Sequence, residues 1–131
     1  MRTSSAKAKG RRLAVAVQKA LLDVFTDLTT DDIRVTPSGV PGPDLQLSQA
    51  GREALPYDFE CKNQESLNIW ATWRQIEERL KSSSEGLTPI IVYARNRVTP
   101  KVSVSLLHFG ELLFNTQLLD KYIDKFGVID E

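Results

Sequence analysis

Cysteine, histidine and methionine each occur once in these 131 residues, and that scarcity removes several chemistries at the outset. A single cysteine, Cys61, excludes an internal disulfide framework and suits a reducing compartment. The lone histidine, His108, has no second histidine or cysteine cluster with which to build a zinc site, so it reads as a hydrogen-bonded residue at a strand end. No apolar run approaches the roughly 18 residues that span a bilayer, and no N-terminal stretch joins basic residues to an apolar core and cleavage site. The expected location is the cytoplasm of a bacterium or of a phage-infected host, with no membrane partner. Net charge is also missing: 17 basic residues balance 17 acidic ones, which argues against a generic nucleic-acid binder. Internal repeats and low-complexity tracts are absent. The expectation is one domain over 1–131, large enough to bury a core, with residues 1–6 flexible.

What charge there is, is unevenly placed. Before Asp23 the chain carries Arg2, Lys7, Lys9, Arg11, Arg12 and Lys19 without an acid, whereas acids outnumber bases after Gly110. A neutral chain can thus present a basic, phosphate-facing surface. From Arg11 to Phe25, Leu13, Val17, Ala20, Leu21 and Val24 recur at helical spacing, an amphipathic helix whose polar side is basic. Short strands are expected at 33–36 and 44–47, separated by a loop rich in proline and glycine that fixes backbone direction just before Asp44. Ser48 to Pro56 reads as a connection with a short helical turn. Asn68 can cap a helix running to Lys81, with Ile69, Trp73, Ile76 and Leu80 as its apolar stripe. Trp73 is assigned to the core and Trp70 is left open. Pro89 to Ala94 reads as a strand buried on both faces, Val102 to Phe109 as a fifth strand, and 111–126 as one or two C-terminal helices.

The most informative segment is Tyr57-Asp58-Phe59-Glu60-Cys61-Lys62, which alternates strictly. In a strand, Asp58, Glu60 and Lys62 share one face and Tyr57, Phe59 and Cys61 the other. Fifteen residues separate Asp44 from Glu60, with Pro43 ahead of Asp44. Two carboxylates about 4 Å apart repel by roughly 4 kcal/mol at an effective dielectric of 20, so something positive has to offset them. Lys62 supplies one charge. A hard cation such as Mg²⁺ can supply the rest, held by oxygens of Asp44, Glu60 and the main-chain carbonyl of Cys61. An ion with open positions can take water and a phosphate oxygen, the arrangement used for phosphodiester hydrolysis.

Read as Pro43-Asp44 … Glu60-Cys61-Lys62, the segment resembles the signature of the PD-(D/E)XK nuclease superfamily, and within it the small Holliday-junction-resolvase-like and phage-encoded nucleases. Lys9-Gly10-Arg11-Arg12 at the start of the first helix, the turn Ser38-Gly39-Val40-Pro41-Gly42 leading into Asp44, and a helix carrying Gln75 after the triplet are similar too. The likeness covers residues 7 to about 94. It implies an α/β fold with a restriction-endonuclease-like αβββαβ core, a mixed sheet flanked by helices. It also implies a deoxyribonuclease using Mg²⁺, with Mn²⁺ able to substitute, and a homodimer where a four-way junction is cut. Asp44, Glu60, Lys62 and Gln75 would be catalytic. One position departs from the pattern: Gln18 stands where many members carry a first-helix glutamate.

Lys62 is expected to orient water or stabilise charge. Asp58, two residues back, reads as a solvated or outer carboxylate, and Cys61 as a small buried apolar residue. Lys9, Arg11, Arg12, Gln18, Arg34 and Ser38 are the candidate DNA contacts, with Arg95, Arg97 and Lys101 extending the surface. Phosphate contacts of this type carry no base specificity, so recognition of structure or ends is expected. Two other readings stand beside junction cutting: a nuclease trimming single strands, flaps or duplex ends, and a non-catalytic DNA-binding module with the same fold.

Overall fold

The computed structural model describes residues 4–127, the side chains of Ser4, Tyr122 and Phe126 excepted. Helix α1 spans Ser4–Val24 and is followed by β1 (Ile33–Val35), β2 (Leu45–Leu47), α2 (Gln49–Ala54), β3 (Tyr57–Asn63), α3 (Ile69–Lys81), β4 (Thr88–Ala94), β5 (Lys101–Ser103) and α4 (Leu106–Phe126). The architecture is mixed α/β, with two small sheets. The hairpin β1–β2 pairs antiparallel, Arg34 opposite Gln46; in the second sheet β3 pairs parallel with β4, and β4 antiparallel with β5. A hydrogen bond joins the sheets where Asp44 N–H donates to the Phe59 carbonyl at 2.8 Å.

Periodicity explains the layering. Leu13 and Ala14 of α1 are buried against Phe59 and Cys61 of β3, with Ile33, Leu45 and Val92 completing that core. The opposite face of β3 and β4 is covered by α3 through Ile76, which packs fully buried, as is Ile91. Burying each such side chain contributes on the order of 1.5–3 kcal/mol. Asn68 caps α3 by accepting the Ala71 N–H at 3.0 Å, as its position before the apolar stripe predicts. Ser48 caps α2 by accepting the Gly51 N–H at 3.0 Å and donates to Asp32 Oδ1 at 2.7 Å. Gly51 is required there: a Cβ at that position would lie 2.6 Å from the Asp32 carbonyl oxygen.

Three expectations need correction. Residues 4–6 belong to α1, so the first helix begins well before Arg11; residues 1–3 lie outside the described residues. The strand expected over 102–109 ends at Ser103, because the Ser105 side chain accepts the His108 N–H at 3.0 Å and starts α4. His108 therefore sits in the first turn of a helix, where its Nε2 pairs with the Tyr57 hydroxyl at 2.7 Å. Among the described residues no helix is long and apolar enough to cross a membrane.

Candidate active site

The parallel crossover β3–α3–β4 sets the stage. Because β3 alternates, Asp58, Glu60 and Lys62 share the face that α3 covers, while Phe59 and Cys61 face α1. The ionic face is therefore interior. Asp58, expected to be a solvated or outer carboxylate, is not solvated: it is buried at 3 % exposure. What makes that tolerable is Arg79, a residue the sequence reading did not single out. Its Nη2 pairs with Asp58 Oδ1, its Nε donates to Asp58 Oδ2 at 3.3 Å, and its Nη1 reaches Glu60 Oε2 at 3.3 Å and the Gly42 carbonyl at 3.4 Å. Burial opposes its charge, yet the Asp58 and Glu60 carboxylates outweigh that and hold the guanidinium above its ordinary range. One side chain thus ties the glycine- and proline-rich loop, β3 and α3 together. The signal for it was present: Arg79 lies three residues after Ile76 and beside Leu80, on the inward side of the helix.

Lys62 Nζ lies 3.3 Å from Glu60 Oε1, so Glu60 is shared between two cations. Asp44 is different. Its Oδ2 accepts the Cys61 N–H at 2.6 Å, and among the described residues no cation comes within ion-pair distance of it. Burial first, and the neighbouring Glu60 charge second, push its carboxyl up to about 6. Asp44 and Glu60 are thus brought together electrostatically at the edge of β3. The Cys61 carbonyl belongs to the same edge: N–H and C=O of one strand residue point the same way, and the Cys61 N–H points at Asp44. Burial pushes the Cys61 thiol above its ordinary range, consistent with an inert side chain.

Asp44 and Cys61 line a cavity of about 180 Å³, with Lys7, Gly10, Arg11, Thr36 and Ser38 among its other walls. The basic residues of α1 and the serine of the proline-rich loop therefore meet the candidate carboxylate in one opening, whereas Glu60 and Lys62 lie on the other face of the strand and are not among its walls. Lys7 belongs to this group and had been passed over. Lys9 lies to one side, its Nζ donating to Asn96 Oδ1 at 3.1 Å, which joins α1 to the turn carrying Arg95 and Arg97. Arg12 is exposed, lining a shallow groove with Val15 and Lys19 and not the Asp44 cavity. Arg34 is exposed and paired with Asp31 at 3.4 Å. Gln18 has a structural job: its Nε2 donates to the Ile33 carbonyl at 2.7 Å and fastens α1 to β1. Gln75 is exposed one turn before Arg79, and among the described residues no hydrogen bond joins it to Asp44, Glu60 or Lys62.

An oxygen-only donor set with one carboxyl destabilised by burial and by a second carboxylate fits a hard divalent cation, which would relieve both penalties at once. No family model, curated protein or solved structure matches the chain.

Proposed function

We propose that the chain is a metal-dependent deoxyribonuclease of the PD-(D/E)XK type, hydrolysing phosphodiester bonds in a structure-selective, junction-resolving manner. The observation that carries the reading is Asp44: a carboxyl raised to about 6 beside Glu60, without a cationic partner among the described residues, opening onto a cavity walled by Lys7 and Arg11. The element order supports an αβββαβ core, with α2 inserted between β2 and β3 and the two sheets joined at Asp44.

Asp44, Glu60 and the Cys61 carbonyl would hold Mg²⁺ or Mn²⁺, which when bound supplies Lewis-acid polarisation of the phosphodiester and activation of water. The protein's own groups do the rest. Arg79 keeps Glu60 in place through its anchor on Asp58, so Lys62 is the cation free to turn from Glu60 toward the attacking water or the phosphate charge that develops. Lys7, Arg11 and Ser38 would seat a neighbouring phosphate. These contacts read backbone and shape, not base sequence.

The test is incubation with four-way junction, flap, single-stranded and linear duplex DNA, in Mg²⁺, Mn²⁺ and EDTA, beside Glu60→Ala. Paired symmetric nicks in the junction, abolished by EDTA and by the substitution, are expected. Cleavage confined to flaps, single strands or free ends would replace the junction reading with an end-trimming one, and no cleavage of any substrate would reduce the chain to a binding module.

A further inference from the structure

A second opening, built differently from the one at Asp44, lies at the C-terminal ends of β3 and β4. Lys62 of β3, Tyr93 of β4 and Lys101 of β5 are register partners, so they stand in one row on one face, each strand about 4.8 Å from the next. An aromatic ring thus sits between two lysines. Tyr93 and Lys101 line a cavity of about 300 Å³, at the low end of the roughly 300–1,000 Å³ that small-molecule sites occupy. Leu67 and Val98 give it apolar walls, Gln64 and Arg95 polar ones. Glu65 is the acid among the walls, and its Oε1 is engaged by the Asn96 N–H at 3.0 Å. Among the described residues the Gln64 amide and the Tyr93 hydroxyl have no hydrogen-bond partner, so both are available to a ligand.

The turn between β4 and β5 shows the charge such a ligand carries. The Val98 N–H donates to the Arg95 carbonyl at 3.1 Å, closing a four-residue turn whose third residue, Arg97, has φ 63°. That left-handed backbone suits glycine or asparagine, and among the described residues Arg97 is the one non-glycine that adopts it. Arg97 is exposed, and among the described residues Arg95, Arg97 and Lys101 have no acid within ion-pair distance. Strain retained at a cation with no partner in its own chain points to a partner outside it. The turn is fastened on two sides, through Asn96 to Glu65 and to Lys9, so its cations are placed before a ligand arrives.

We infer that this opening holds one unpaired nucleobase of a DNA strand, stacked on Tyr93, with the phosphates on either side of it met by Lys101, Arg95 and Arg97. A ring flanked by cations matches a base flanked by phosphates, and every base has a π-face, so stacking tolerates any sequence. Gln64 offers a donor and an acceptor to the base edge. Inside a duplex both faces of a base are covered by its neighbours, so only an unstacked base can enter. On the proposed nuclease reading, on which this consequence rests, the strand passes Lys62 one β-strand away and is cut beside an unpaired nucleotide. Selectivity for DNA structure then has a physical source, because a branch point offers an unstacked base and uninterrupted duplex does not.

Binding is measured in EDTA by fluorescence anisotropy, so that its outcome is separate from that of cleavage. Labelled oligothymidylate is expected to bind about 10-fold or more tighter than the same strand made abasic, which keeps the phosphates and lacks the rings. A duplex with one bulged thymidine should likewise bind tighter than the fully paired duplex. Tyr93→Phe should keep both preferences and Tyr93→Leu should abolish them, with affinity for the abasic strand unchanged. Arg97→Gly reports without touching the half-buried ring: it should weaken every strand severalfold while melting no lower than wild type, since glycine suits that backbone. Free dTMP should compete far more weakly than the strand. Equal affinity for thymidylate and abasic strands, or a preference that survives Tyr93→Leu, overturns the inference. So does dTMP competing as well as the strand, which would make this a mononucleotide site, or Arg97→Gly binding as wild type does. Absence of cleavage with the base preference intact would sink the nuclease reading and leave this inference standing.

Discussion

Replacing Asp44 by asparagine should make the metal-free protein more stable, although it removes a group assigned to the active site. The carboxyl is raised from 3.8 to about 6 by burial and by Glu60. Each pKa unit corresponds to 1.36 kcal/mol, so the ionised form disfavours the fold by about 3 kcal/mol above both values. The sign follows from proton binding. Between pH 4 and 6 the folded state holds the proton more tightly than the unfolded one, so this group contributes most stability at low pH and loses it as pH rises through 6. The substituted amide cannot ionise, and its carbonyl can still accept the Cys61 N–H now bonded to Asp44 at 2.6 Å. Urea unfolding in EDTA should therefore show Asp44→Asn ahead of wild type by about 2–3 kcal/mol at pH 8, with the gap closing near pH 4. Adding Mg²⁺ or Mn²⁺ at pH 8 should close the gap at 100 times the Kd, where the ion stabilises wild type by about 2.7 kcal/mol and the variant far less, and reverse the order at 1,000 times the Kd, where the gain is about 4.1 kcal/mol. A variant less stable than wild type at pH 8 in EDTA, or a gap independent of pH, would refute the reasoning.

Further predictions concern neighbouring groups. Arg79→Ala leaves Asp58 buried and unpaired, and should lower stability by about 3–5 kcal/mol in urea unfolding, with metal affinity falling in parallel. Lys62→Ala should slow cleavage by about 10²–10⁴-fold while the melting temperature shifts by only a few degrees, because the charge it offsets on Glu60 keeps Arg79. Gly51→Ala forces a Cβ within 2.6 Å of the Asp32 carbonyl and should cost about 1–3 kcal/mol, read as a lower urea midpoint at unchanged slope. Lys7→Ala and Arg11→Ala should each lower the slope of log affinity for DNA against log salt by about 1, whatever the base sequence, in fluorescence anisotropy titrations.

Much of the framework was legible because it rests on short-range rules. Alternation from Tyr57 to Lys62 sorted the two faces of β3 correctly, and Asn68 marked the start of α3. The proline-rich loop did deliver Asp44 to the β3 edge. Alternation, however, says which residues share a face and not what covers it. From the sequence Asp58 reads as either a solvated or an outer carboxylate, because its partner comes from a helix 21 residues later, a pairing that only the crossover creates. Gln18 was weighed as a ligand position, but it answers a backbone carbonyl on β1 that local sequence does not reveal. The last strand was drawn too long because Val102 to Ser105 alternates up to the capping serine, where helix formation takes over. The apolar spacing of α4 gave the helix and concealed its surroundings, since a stripe of leucines reads the same whether it meets its own chain or another.

The stitch between Asp44 and β3 bears on when the proposed nuclease becomes reactive. One sheet supplies Glu60 and Lys62, the approach to the other supplies Asp44, and the two are fastened by a backbone bond at Phe59 and a carboxylate bond at Cys61. A chain emerging from the ribosome with only its first hairpin formed carries half a catalyst, and one whose sheets have slipped apart carries two inert halves. Hydrolytic power would then switch on with the last docking event and off with the first act of unfolding, which shields nucleic acid from misassembled copies.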